Sequence, residues 1–153
     1  MREKAQANDV SRRTLLAAAG IAGAVFVAPP CARASDDDLG LIRTLTGTTP
    51  IESDRVHLAM PTTFPNAYTV PLTLMIDSPM TEGDHVRRAR VLAPQNPIIE
   101  VASFNFVPMR SEPHVSTRIR LAKSQYVLAV AEMSDGTLLM AKSWVKVDSN
   151  GCD

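Results

Sequence analysis

Apolar and polar positions alternate along much of this chain. Val70, Leu72, Leu74 and Ile76 are interleaved with Pro71, Thr73, Met75 and Asp77, a period of two that turns one apolar face inward. Val115, Thr117, Ile119 and Leu121 alternate in the same way against Ser116, Arg118 and Arg120, so both runs read as half-buried strands. Five more runs have strand character: Arg55 to Met60, His85 to Leu92, Ile98 to Phe106, Gln125 to Glu132 and Thr137 to Val147. Gln125 to Ala131 is apolar on both faces, as expected of a strand flanked by neighbours and covered on both sides.

Turn residues separate these runs: Ser78-Pro79, Glu82-Gly83-Asp84, Pro94-Gln95-Asn96-Pro97, Pro108, Glu112-Pro113 and Ser134-Asp135-Gly136. About seven strands at this spacing, with no helical period between them, predict an all-β, immunoglobulin-like antiparallel sandwich. One short helix is expected before the strands. Asp36 to Leu45 places acidic residues ahead of Leu39, Leu41, Ile42 and Leu45, and Gly47 follows as a stop.

The first residues do not belong to this pattern. Ser11-Arg12-Arg13-Thr14-Leu15-Leu16 opens an apolar run that continues to Ala28, followed by Pro29-Pro30 and the small-residue sequence Ala32-Arg33-Ala34. Paired arginines, an apolar run short of the roughly 20 residues that span a bilayer, and an A-x-A site describe a twin-arginine export signal. Cleavage is expected after Ala34. Residues 1–34 are therefore read as a signal peptide, 35–147 as one β-sandwich domain and 148–153 as a C-terminal arm, with a periplasmic destination and no membrane attachment after cleavage.

Between residues 35 and 153 there are eleven Lys and Arg against fourteen Asp and Glu, a net charge of −3 that gives no reason to expect a nucleic-acid partner. His57, His85 and His114 lie in or beside different strands without metal-ligand spacing, so no metal site and no cofactor is expected. Arg87, Arg88, Arg90, Arg118 and Arg120 would form an anion site only if two strands brought them together; a solvated sheet face is the plainer expectation. Trp144 is assigned to core packing or a partner interface. No nucleophile elbow, P-loop or dinucleotide fingerprint is present, and no catalytic residue is assigned.

Cysteine usage changes the picture. Removal of the leader takes Cys31 with it and leaves Cys152 as an unpaired thiol in an oxidising compartment, where thiols normally pair. Cys152 follows Asp148-Ser149-Asn150-Gly151 and precedes Asp153, a polar tail whose six residues extend roughly 20 Å. Gly151 frees the backbone beside the thiol, while the negative charge of Asp153 disfavours the thiolate. Such a tail suits a swinging arm that presents a sulfur atom to another protein's cleft. The alternative is a binding or assembly module whose terminal cysteine forms a disulfide with a partner chain.

From about Thr49 to Cys152 the chain resembles the SoxY family of sulfur carriers. The resemblance rests on Val70-Pro-Leu-Thr-Leu-Met-Ile-Asp-Ser-Pro-Met80, Asn96-Pro97 with Val101-Ala-Ser-Phe-Asn-Phe106, Val115-Ser-Thr-Arg-Ile-Arg-Leu121, and Trp144-Val-Lys-Val147 leading to Gly151-Cys152. It implies a noncatalytic subunit that pairs with a SoxZ-like subunit and holds thiosulfate-derived sulfur covalently on Cys152. The implied client enzymes are haem-containing SoxAX for loading, the hydrolase SoxB for sulfate release and a sulfur dehydrogenase for the retained sulfane. The family ending is glycine-rich on both sides of its cysteine; here Asn150 precedes Gly151 and Asp153 follows Cys152.

Overall fold

The computed structural model describes residues 36–148. An N-terminal helix, α1 (Asp36–Thr46), precedes nine strands: β1 (Ile51–Glu52), β2 (Val56–Ala59), β3 (Thr63–Phe64), β4 (Val70–Ile76), β5 (Val86–Leu92), β6 (Glu100–Asn105), β7 (His114–Ile119), β8 (Gln125–Met133) and β9 (Leu138–Val147). The seven longer strands are the seven expected from the alternation. Strands β1 and β3 are two-residue additions, and both pair parallel to β9, so the sandwich is antiparallel except along that edge.

One sheet runs β1-β9-β8-β5-β6, with β3 on the same outer edge of β9 as β1; the other runs β2-β4-β7. The core between them follows from the period-two pattern. Val70, Leu72, Leu74 and Ile76 of β4 are all buried and meet Val91, Val127, Ala129 and Val145 from the larger sheet. At roughly 25 cal/mol per Å² of apolar surface removed from water, each such aliphatic side chain contributes about 1.5–3 kcal/mol.

The larger sheet also buries part of its outer face. Leu92, Leu128, Val130, Leu138 and Met140 form a second apolar cluster there, closed by Ile42 and Leu39 of α1. This explains why β8 is apolar on both sides: odd-numbered residues face the other sheet, and even-numbered ones face the helix. The helix stops where Gly47 adopts φ +80° and its N–H donates to the Arg43 carbonyl at 2.8 Å, a left-handed cap that glycine makes without Cβ strain. No helix among the described residues is long and apolar enough to cross a membrane.

Candidate functional site

Cys152 and Gly151 lie outside the described residues; the nearest described strand is β9. Val147 is the last strand residue and is held from two sides. On the β8 side, the Val147 N–H donates to Ser124 Oγ at 3.0 Å and the Ser124 hydroxyl donates to the Val147 carbonyl at 3.3 Å. On the other side Phe64 of β3 is its register partner, and the neighbouring Lys146 N–H donates to the Thr62 carbonyl at 2.9 Å. From this post to Cys152 is five residue steps, about 17 Å of fully extended chain.

The loop that supplies Ser124 is itself braced. Gln125, 2 % exposed, is the buried polar residue of the described core. Its amide donates to Asn96 Oδ1 at 3.0 Å and to the Lys123 carbonyl at 3.1 Å, and its Oε1 accepts from the Gln95 N–H at 2.8 Å. Asn96 Oδ1 also accepts from the Ala122 N–H at 2.7 Å, and its amide donates to the Arg120 carbonyl at 2.8 Å. Every polar atom of this network finds a partner, the condition under which a buried amide rigidifies a structure rather than weakening it. A polar residue at the head of β8, ahead of the apolar run Val127 to Ala131, is the sequence signal that marks this brace.

Next to the brace lies a cleft of about 480 Å³ lined by Asn96, Pro97, Ile98, Glu100, Val101 and Arg120. The Arg120 guanidinium sits 4.6 Å from the centroid of the Tyr68 ring. Lys123 and Lys146 are exposed, each next in sequence to a partner of the Ser124–Val147 bridge.

The arginines are not brought together. Arg87, Arg88 and Arg90 belong to β5 in the larger sheet, while Arg118 and the adjacent Arg120 belong to the β7 region of the smaller one. Arg87 pairs with Glu132 at 3.5 Å, Arg88 donates to Asn105 Oδ1 at 2.9 Å, and Arg90 lies 3.9 Å from Glu100 and donates to the Leu45 carbonyl. Trp144 is not a core residue. It is 46 % exposed on the outer face of the larger sheet and meets Tyr126, its cross-strand partner, edge-on with centroids 5.0 Å apart. His57 Nε2 contacts Asp77 Oδ2 at 3.0 Å, His85 Nδ1 contacts the Thr81 carbonyl at 3.0 Å, and His114 is exposed at the start of β7. The described residues hold no group of three or more His, Cys, Asp or Glu positioned around a metal ion.

The described residues form an immunoglobulin-like sandwich scaffold whose last strand is clamped at Val147. Comparison with known proteins gives the scaffold a family. A family model described as sulfur oxidation protein SoxY matches residues 42–152. The solved structure of the sulfur carrier protein SoxY from Chlorobium limicola f thiosulfatophilum is 31 % identical, covers 72 % of this chain and 94 % of that one, and superposes with a TM-score of 0.59. The chain belongs to the SoxY family of sulfur carriers.

Two further matches show the fold alone. The superoxide reductase (neelaredoxin) from Ignicoccus hospitalis is 18 % identical over 61 % of this chain and 82 % of that one, at a TM-score of 0.54. A putative superoxide reductase from Thermotoga maritima is 18 % identical over 61 % of this chain and 86 % of that one, at 0.53. The search of curated proteins returned no match.

Proposed function

We propose that this protein carries thiosulfate-derived sulfur in the periplasm as a covalent conjugate of Cys152, on an arm formed by residues 148–153 after loss of a leader ending at Ala34. The single observation that carries the reading is the family match, which runs through residue 152 and so takes in the thiol beyond the clamped end of β9. Gly151 supplies backbone freedom beside it.

The chemistry asked of the arm is limited. Loading joins the Cys152 sulfur to the sulfane sulfur of thiosulfate, releases the thiol proton and passes two electrons, one at a time, to the haem centre of a SoxAX-type enzyme and on to its electron acceptor. Hydrolysis by a SoxB-type enzyme then adds water across the terminal sulfur–sulfur bond, liberating sulfate and two protons and leaving a persulfide anion. A sulfur dehydrogenase would oxidise that remaining sulfane. The carrier catalyses none of these steps; it presents the sulfur in complex with a SoxZ-like subunit. A thiolate is a soft nucleophile, and exchange or hydrolysis regenerates it.

Intact mass spectrometry after incubation with thiosulfate, a SoxZ-like subunit and the loading enzyme tests the reading. The expected result is a sulfur adduct that a reductant removes and that Cys152→Ser abolishes. An adduct persisting in the serine variant, or a protein–protein disulfide as the sole product, would overturn it.

A further inference from the structure

The outer face of the β2-β4-β7 sheet gathers residues that are remote in sequence. His57 on β2 lies directly opposite Met75 on β4, and Met75 lies directly opposite His114 on β7. All three are exposed, Met75 at 43 %, and each alternates with more buried neighbours, so an imidazole, a thioether and an imidazole stand in one row across three consecutive strands. Two inter-strand spacings separate the histidine backbones by about 10 Å, with the methionine beneath the midpoint. Inward rotamers of the two imidazoles would bring both over the thioether.

One member of the row is already oriented. His57 Nε2 lies 3.0 Å from Asp77 Oδ2, and in the neutral tautomer that donates from Nε2 to this carboxylate Nδ1 is left as the ligating nitrogen. A carboxylate holding the far nitrogen of a ligating histidine is the usual outer-shell arrangement at metal sites, where it fixes tautomer and ring direction. The next row along the sheet, Thr73 and Ser116, is satisfied internally by a hydroxyl–hydroxyl contact of 3.1 Å and makes no demand on the first.

We propose that His57, Met75 and His114 form a surface site for a soft monovalent metal ion of the Cu(I) or Ag(I) kind. The donors decide the class. Two neutral imidazoles and a thioether offer no hard oxygen set for Ca²⁺ or Mg²⁺, whereas thioether and imidazole together favour a soft ion of low charge. Asp77 beside the row adds a compensating negative charge. Closure requires only side-chain rotations of exposed Met75 and His114 over β4, with no movement of the sheet. The site is independent of the arm and of the sulfur chemistry.

The test uses the full chain with Cys31→Ser and Cys152→Ser, so that no thiol competes, titrated with Ag(I) as a redox-silent probe while His ring nitrogens and Met methyl groups are followed by NMR. The expected outcome is one equivalent bound, with His57, His114 and Met75 signals moving together. Met75→Leu and His114→Ala should each weaken binding by at least about tenfold, on the scale that loss of supporting groups costs at metal sites. Binding that is indifferent to Met75→Leu, or that moves the exposed Met109 signal instead, overturns the proposal. So does a Zn(II) affinity that equals that for Ag(I) and ignores Met75.

Discussion

The Ser124 hydroxyl closes a two-way bridge onto Val147, accepting from its N–H at 3.0 Å and donating to its carbonyl at 3.3 Å. This one side chain satisfies both main-chain groups of the last residue of β9. Ser124→Ala leaves them unpaired in a half-buried setting, and the domain should lose about 1–3 kcal/mol. Hydrogen exchange at the Val147 amide should accelerate more than exchange in β4. Equal acceleration throughout would mean that the bridge supports the whole sheet rather than the end of β9.

Asn96→Ala removes the acceptor shared by the Ala122 N–H and the buried Gln125 amide. An unsatisfied buried donor costs about 1–3 kcal/mol, to be read from the urea midpoint at an unchanged slope. Gln125→Leu should not restore the loss, because the Gln95 N–H would then lack its acceptor as well.

Asp135, in the turn between β8 and β9, accepts from the Thr137 N–H at 2.8 Å, and this bond together with one from the Thr137 side chain holds its carboxyl below the usual carboxylate range. A folded-state value below the unfolded one stabilises the domain above the ordinary carboxylate pKa, and the contribution is lost as pH falls through the depressed value. Asp135→Ala should therefore be less stable than the parent at neutral pH and indistinguishable from it in strong acid. Asp135→Asn, which keeps an acceptor without the charge, should fall between them. Urea unfolding across pH separates the three.

Asp153 places a negative charge one residue from the thiol. Asp153→Gly should move the midpoint of Cys152 alkylation, followed as rate against pH, toward lower pH, because a like charge disfavours the thiolate. The shift should shrink at high salt. An unchanged midpoint would mean that the neighbouring carboxylate does not govern the thiol.

The alternation in Val70 to Ile76 made β4 legible, since a half-buried strand writes its faces into alternate positions. The doubly apolar Gln125 to Ala131 segment likewise gave the central strand away. Strands β1 and β3 were illegible because two residues hold no period; they exist only because β9 offers an unpaired edge. The candidate site divides along the same line. Cys152 and Gly151 could be singled out from composition and position, whereas Ser124, Asn96 and the row His57–Met75–His114 depend on contacts between segments whose relative register no local pattern encodes. Trp144 shows the same limit: its hydrophobicity allowed either face of the sheet, and packing placed it outside.

Strand β9 is bordered by β8 along one edge and by β1 and β3 at opposite ends of the other. A pull directed along the axis of β9 from its C-terminal end loads these backbone bonds sideways and together instead of opening them one after another. The strand end resists mechanically like a lap joint, sharing such a load between β8 and the two short parallel strands.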